Sequence, residues 1–277
     1  MTHNRIPLAG VIGHPIAHSK SPQLHGHWLK KYGLAGYYVP MDVAPEDLET
    51  VLRTLPNAGF VGANVTVPHK EAALRIADQV SERASTIGAA NTLVFQEDGT
   101  IHADNTDGYG FMANLRSGAP NWIPSQSPAV VFGAGGAARA VLQGLLEASV
   151  PKILLTNRTR ARADQLKEEF GDRITVVEWN DAGSVVEEAQ LVVNTTSLGM
   201  RGQPELKVPL DGLQPGAVVT DLVYAPLRTT LLKTAEEAGC TTVDGLGMLL
   251  HQAVPGFERW FGTRPEVTDD LRAAVLG

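Results

Sequence analysis

Few folds accommodate an apolar run, a glycine turn and a helix in immediate succession, and residues 127–142 of this chain supply that succession. Ala129 to Phe132 predicts a short buried strand, Gly133, Gly135 and Ala138 follow at the G-x-G-x-x-A spacing, and the residues after them predict a helix. That pattern reads as a dinucleotide-binding turn. Gly133 permits the tight turn, Gly135 lets a pyrophosphate approach the backbone, Ala138 allows close helix-on-strand packing, and the helix N-terminus offers unpaired N–H groups to the anion. Glycine-rich turns also serve as plain strand-to-helix connections, so the spacing needs support from the rest of the chain.

That support comes downstream. Strand readings at Lys152–Asn157, Ile174–Glu178, Leu191–Thr195, Ala217–Asp221 and Thr241–Asp244 alternate with helix readings to Ala148, over Thr159–Phe170, near Gly183–Ala189 and over Pro226–Ala238. Alternation of this kind predicts a parallel, doubly wound sheet of the Rossmann type.

The first part of the chain differs. Leu8–Ile12, Tyr37–Val43 and Phe60–Val67 read as strands, Gln23–Tyr32 and a stretch from Pro45 to Leu55 as helices, and Lys70–Arg83 as one continuous helix. Asn91–Gln96 and Thr100–Ala103 flank Glu97-Asp98-Gly99, a hairpin signal. A polar cluster, Asp104-Asn-Thr-Asp-Gly108, then changes the character of the sequence. The expected organisation is therefore α/β with two domains: an N-terminal α/β domain over 1–107 and a Rossmann domain over 108–244. Helical segments in 245–277, at Met248–Phe261 and Thr268–Leu276, form the tail.

Composition narrows the function. Apolar residues make up 43% of the 277 and charged residues 19%, as in an ordinary soluble globular protein. A net charge of -7, with Lys and Arg scattered, argues against a nucleic-acid partner. No stretch approaches a membrane span and the N-terminus lacks an apolar signal core, so the expected location is cytoplasmic. Cys240 is the single cysteine, which excludes an internal disulfide and thiolate metal clusters. His14 and His18 lie four apart, but Pro15 places them on a loop with no third ligand adjoining, so no metal is expected.

The cofactor can be argued from the second Rossmann strand. An acid there would bond the ribose 2′-hydroxyl of NAD, whereas this strand ends in Asn157-Arg158-Thr159 with Arg162 just behind. Arg158 offers a planar fork for a phosphate, so the expected cofactor is NADP. Lys70, past a buried strand and the break at Pro68, is placed for partial desolvation and proton exchange. A nearby carboxylate such as Asp107 would orient that lysine; the spacing leaves open whether they meet. Ser19, Ser21, Asn64, Thr66, Asn91 and Gln252 form a set of uncharged donors and acceptors suited to a polyhydroxylated ligand, or equally to turn and cap chemistry.

Seven stretches together resemble the shikimate dehydrogenases of the aromatic amino-acid pathway: Gly13–Pro22, Gly62–Lys70, Gly88–Thr92, Asp104–Gly108, Gly133–Ala137, Asn157–Thr159, and Asp244–Met248 with Gln252. They span nearly the whole chain. The resemblance implies that Ser19 and Ser21 hold a substrate carboxylate with Tyr224 nearby, that Asn64, Thr66, Asn91, Asp107 and Gln252 bond ring hydroxyls, and that Lys70 with Asp107 is the catalytic pair. It also implies an NADP site at Gly133, Ala134, Gly135, Gly136 and Ala137, at Asn157, Arg158, Thr159 and Arg162, and at Gly245 beside the nicotinamide. The first domain would then bind substrate, the second NADP, and the tail would pack back on the first. The implied reaction is reversible reduction of 3-dehydroshikimate to shikimate. A quinate/shikimate dehydrogenase with relaxed cofactor use and a non-catalytic NADP-binding regulator stand as alternatives, and a homodimer is left open.

Overall fold

The apolar run at the start of the chain forms strand β1 (Leu8–Gly13), buried from Ala9 onward. The structure is a computed structural model and describes residues 6–277. Two units divide the chain: one runs to Thr106 and takes in Gln252–Gly277, and the other is Asp107–His251.

In the first unit β1 is followed by α1 (Ser21–Lys31), β2 (Tyr37–Asp42), α2 (Leu48–Thr54), β3 (Phe60–Val65), α3 (Lys70–Ile76), β4 (Gln79–Val80), α4 (Glu82–Ile87), β5 (Thr92–Phe95) and β6 (Ile101–Asp104). The strands form one mixed sheet in the order β2-β1-β3-β5-β6-β4. β1 lies parallel to β2 and β3, whereas β5 is antiparallel to β3 and β6. The antiparallel pair follows from the Glu97-Asp98-Gly99 turn, where Gly99 takes φ 86° and Gln96 N donates to Thr100 O. Leu48, Leu52, Ala63, Val65, Leu93 and Ile101 share one core cluster. Register sets Asn64 opposite Thr92 and Thr92 opposite Asp104, so three polar residues stand in a row across β3, β5 and β6.

The helix predicted over Lys70–Arg83 is broken in two. Ala77 turns extended at ψ 143°, and the Asp78 carboxylate accepts from Ile101 N and from Arg53, which draws the chain alongside β6 as β4. Ser81 then restarts a helix by accepting from Ala84 N at 3.2 Å. Periodicity cannot see the Asp78 bonds, because their partners lie 23 and 25 residues away.

The second unit begins with α5 (Asp107–Gly118), then β7 (Ala129–Phe132), α6 (Gly136–Glu147), β8 (Ile153–Thr156), α7 (Arg160–Phe170), β9 (Ile174–Val177), β10 (Leu191–Asn194), β11 (Val218–Asp221), α8 (Thr230–Glu237) and β12 (Thr241–Val243). Its six strands are all parallel, in the order β12-β11-β10-β7-β8-β9. That is the Rossmann order, with its switch point between β7 and β10. Every residue of β7, β8, β10 and β11 is buried, because helices cover both faces of the sheet. Val131 packs with Phe111, Leu142 and Leu145, while Val130 and Phe132 pack with Leu154, Leu231 and Ala235. Two predicted helices are shorter here. The stretch 183–189 holds a single 3₁₀ turn, Val186–Glu188, and α8 starts at Thr230, after Thr229 caps it through Leu232 N.

Helix α9 (Leu246–Phe261) starts in the second unit and continues into the first, where α10 (Asp269–Leu276) ends the chain. Residues 245–251 thus belong with the second unit, past the boundary at 244 that the sequence suggests. Close packing explains it: a Cβ on Gly247 would lie 1.8 Å from Asn114 Oδ1, and Asn114 Nδ2 donates to Asp244 O at 2.7 Å. The tail is tied within the first unit by Trp28 Nε1, which donates to Glu266 O at 3.0 Å, and by the Lys31–Asp270 ion pair at 3.2 Å. Among the described residues no helix is long and apolar enough to cross a membrane.

Candidate functional site

The glycines after β7 do different work. Gly133 adopts φ 106°, and a Cβ there would meet Thr195 Oγ1 at 2.6 Å, so the fold itself requires a glycine. Gly135 and Gly136 lie at the N-terminus of α6 with nothing within 4 Å of an added Cβ, and neither has positive φ. Neither is required by the protein's own packing. What their bareness leaves room for is an outside group meeting the unpaired N–H ends of a twelve-residue helix that carries no acid in its first turn. The turn sits at the switch point of the sheet, beside the end of β10, where Thr195 Oγ1 donates to Phe132 O at 2.7 Å. These residues fit the pyrophosphate of a dinucleotide.

At the end of β8, Asn157 Nδ2 donates to Thr159 O at 2.8 Å and so shapes the turn into α7. The three arginines that follow are not equivalent. Arg160 is held by Glu178 and by Asp164, whereas Arg158 and Arg162 are exposed and form no ion pair among the described residues. An uncommitted guanidinium at the end of the second Rossmann strand, with no acid on that strand, suits a ribose 2′-phosphate. Gly245 differs from Gly135: its Cβ would stand 2.3 Å from Leu222 O, so backbone packing in the second unit already demands a glycine there.

In the first unit the uncharged polar residues converge on a hydrogen-bonded hub. Asn91 Oδ1 accepts from Thr92 Oγ1, Thr106 N and Thr106 Oγ1 at 2.9, 2.9 and 3.1 Å. That leaves the amide nitrogen as the outward end, and Asn91 Nδ2 donates to Gln252 Oε1 at 3.4 Å. Asn64 Nδ2 donates to Asn91 O and Thr92 Oγ1, and Asn64 Oδ1 accepts from the Tyr38 hydroxyl at 2.7 Å. Thr66 lies just beyond β3 and is half-buried. Ser19 and Ser21 are joined by the Ser21 N–H donating to Ser19 Oγ at 3.3 Å, with Ser21 buried as the first residue of α1.

Lys70 is the first residue of α3, half-buried, and its carbonyl accepts from Ala90 N at 2.9 Å. Asp107, also half-buried, opens α5 directly after the hub residue Thr106. Tyr224 is 41% exposed beyond β11. His69, which follows Pro68, is buried and bonded through Nε2 to Val43 O at 2.8 Å, a packed residue rather than a reactive one.

Sequence reading missed the buried groups that hold these loops. Thr92 and Thr106 belong to two Asn-Thr pairs, Asn91-Thr92 and Asn105-Thr106, and that repetition was the one local signal of a shared hub. Asp104 accepts from Arg83, Ser81, Arg259 and Asn105 N. Burial alone would raise its pKa, but Arg83, Ser81 and Arg259 together hold the carboxyl well below the usual range. In the second unit Asp221 accepts from Asn194 Nδ2, Val223 N and Thr229 Oγ1, with no ion pair among the described residues, and burial pushes its pKa up.

Fold and site together define a class: a two-unit α/β protein with a Rossmann unit built for a dinucleotide and a second unit presenting clustered hydroxyl and amide groups. Residues 11–93 match the shikimate dehydrogenase substrate binding domain, residues 122–200 the shikimate/quinate 5-dehydrogenase family, and residues 245–276 the shikimate 5'-dehydrogenase C-terminal domain. The shikimate dehydrogenase (NADP(+)) of Roseobacter denitrificans is 69% identical over 277 residues, covering all of both chains. Shikimate 5-dehydrogenase from Thermus thermophilus, solved with NADP(H) and shikimate, superposes with TM-score 0.86 at 38% identity, over 98% of this chain and 99% of that one. Quinate dehydrogenase from Corynebacterium glutamicum, solved with NAD, gives TM-score 0.89 at 33% identity, over 97% and 98%. The chain belongs to the shikimate dehydrogenase family.

Proposed function

We propose that this chain catalyses the reversible, NADP-dependent reduction of 3-dehydroshikimate to shikimate, as a cytoplasmic enzyme of aromatic amino-acid biosynthesis. The observation that carries the reading is the end-to-end match to a relative named as an NADP(+) shikimate dehydrogenase, in a chain that keeps both Lys70 and Asp107. The single cysteine fits a reducing compartment.

In this reading the unit to Thr106 with Gln252–Gly277 binds substrate and the unit Asp107–His251 binds NADP. The backbone at Gly133, Ala134, Gly135, Gly136 and Ala137 receives the pyrophosphate, and Asn157, Arg158, Thr159 and Arg162 receive the adenosine 2′-phosphate, with Gly245 beside the nicotinamide. When bound, NADPH supplies the hydride. Ser19, Ser21 and Tyr224 hold the substrate carboxylate through hydroxyl donors. Asn64, Thr66, Asn91 and Gln252 hold the ring hydroxyls; the Asn91 amide is oriented by Thr92 and Thr106 so that its N–H side is presented. The Lys70 ammonium donates its proton to the ketone oxygen as negative charge develops there, and Asp107 orients that ammonium and shares its proton traffic.

The test is the reduced-nicotinamide absorbance on mixing the protein with NADP and shikimate, repeated with quinate and with NAD. Arg158 and the absence of an acid on β8 predict NADP over NAD. Lys70→Ala is expected to lower kcat by at least about a hundredfold while shikimate still binds. Near-native turnover in that variant would remove Lys70 from the mechanism, and absence of any absorbance change with the unaltered protein would restore the non-catalytic alternative.

A further inference from the structure

Tyr38 lies in the interior of the first unit, 9% exposed, and neither motif nor resemblance draws attention to it. Its ring stacks flat on the imidazole of His25, centroids 3.9 Å apart and planes 6° apart. Trp28, Phe257 and Trp260 surround the pair, with centroids 5.7, 5.8 and 5.7 Å from His25. Trp260 is itself fixed, donating from Nε1 to Leu93 O at 3.0 Å, above a Gly62 where a Cβ would stand 2.0 Å from that nitrogen. A ring so enclosed has one orientation, and its hydroxyl has one destination: Asn64 Oδ1 at 2.7 Å.

That bond decides what Asn64 can offer. Both Nδ2 hydrogens are taken, one by Asn91 O at 3.1 Å and one by Thr92 Oγ1 at 3.3 Å, and one Oδ1 lone pair is taken by Tyr38. A single acceptor position remains. Ser21 and His25 stand one turn apart on the same buried face of α1. Tyr38 therefore holds, through its one oxygen, a residue assigned above to a ring hydroxyl.

We propose that Tyr38 is a positioning residue for substrate recognition: its hydroxyl locks the Asn64 amide so that a substrate hydroxyl meets an oxygen acceptor. The inference rests on the functional reading above. It assigns Tyr38 no contact with the reacting atoms, so its effect belongs in substrate affinity rather than in the chemical step.

The experiment is steady-state kinetics on Tyr38→Phe, Asn64→Ala and the double variant in the full chain, with thermal unfolding alongside. Tyr38→Phe removes one oxygen and leaves the stack, and is expected to raise KM for shikimate about tenfold, with kcat and KM for NADP within about twofold. Asn64→Ala is expected to raise the same KM, and adding Tyr38→Phe to it should have no further effect, because the group that Tyr38 acts through is gone. Unchanged KM in Tyr38→Phe, or additive effects in the double variant, would overturn the proposal. So would kcat, both KM values and melting temperature all worsening together, the mark of a merely structural residue. Failure of the unaltered protein to turn over shikimate would instead count against the functional reading itself.

Discussion

The two units bury a carboxylate each and treat it in opposite ways. Asp104 in the first unit is met by two arginines, Arg83 at 2.8 Å and Arg259 at 2.7 Å, and its pKa falls. Asp221 in the second is met, among the described residues, by uncharged donors from Asn194, Val223 and Thr229, and its pKa rises. At Asp221 the hydrogen bonds do not offset the loss of hydration around the charge, whereas at Asp104 the two guanidiniums help to do so. The first unit adds a further buried titratable group, His25, fully enclosed with neither ring nitrogen in hydrogen-bond geometry. Burial lowers its pKa to about 3, against a smaller opposing influence from Asn64. The first unit is thus the acid-sensitive one.

The largest test of that contrast is the pH dependence of stability. For His25 the unfolded chain takes up a proton near 6.5 and the folded chain only near 3, so its contribution is intact above 6.5 and is lost as pH falls between those values. The loss amounts to about 5 kcal/mol over that window. Urea unfolding from pH 7 downward should show it, and His25→Leu should flatten the slope whatever it does to stability at neutral pH. An unchanged slope would mean that His25 is solvated.

Asp104→Asn comes next. It leaves Arg83 and Arg259 without their anion, and because the two side chains are 39% and 37% exposed the expected loss is discounted to about 2 kcal/mol at pH 7. The folded-state pKa is depressed, so this contribution is present above the ordinary carboxylate value of 3.8 and is lost below it; the variant should lose that acid limb. Asp221→Asn has the opposite sign. With a raised pKa, the carboxyl disfavours folding increasingly as pH climbs from 3.8 through its folded value. The neutral variant should therefore change stability at pH 7 by less than about 1 kcal/mol, read by the same urea titration. A loss equal to that of Asp104→Asn would break the comparison.

Gly135→Ala should have the smallest effect on folding and a large one on binding. Its Cβ meets no protein atom, so the melting temperature should hold, while the Kd for NADP in a calorimetric titration should rise at least about tenfold. An unchanged Kd would detach the turn from the cofactor.

The Rossmann unit was legible in considerable detail because its information is local. β7 is an unbroken apolar run, β8 and β10 each open with three apolar residues, and Gly133, Gly135 and Ala138 carry their spacing within six residues. The first unit was legible in outline only. Lys70–Arg83 has helical periodicity throughout, yet Asp78 is pulled into the sheet by Ile101 and Arg53. Asn64, Asn91 and Gln252 could be picked out as ligand-like types, but not the Thr92, Thr106 and Tyr38 groups that orient them.

Residue chemistry along the chain was enough to predict a parallel nucleotide fold, a phosphate-accepting turn and an arginine where NAD selection would need an acid, since each depends on neighbours a few positions apart. Which way an amide faces, which carboxylate keeps its charge, and which glycine serves packing rather than a ligand depended on partners brought in from distant segments. Arg259 reaches Asp104 across 155 residues of sequence, and Trp260 covers Gly62 from the far end of the chain. Burial and hydrogen bonding are properties of such pairs, and they come into being only when the chain closes on itself.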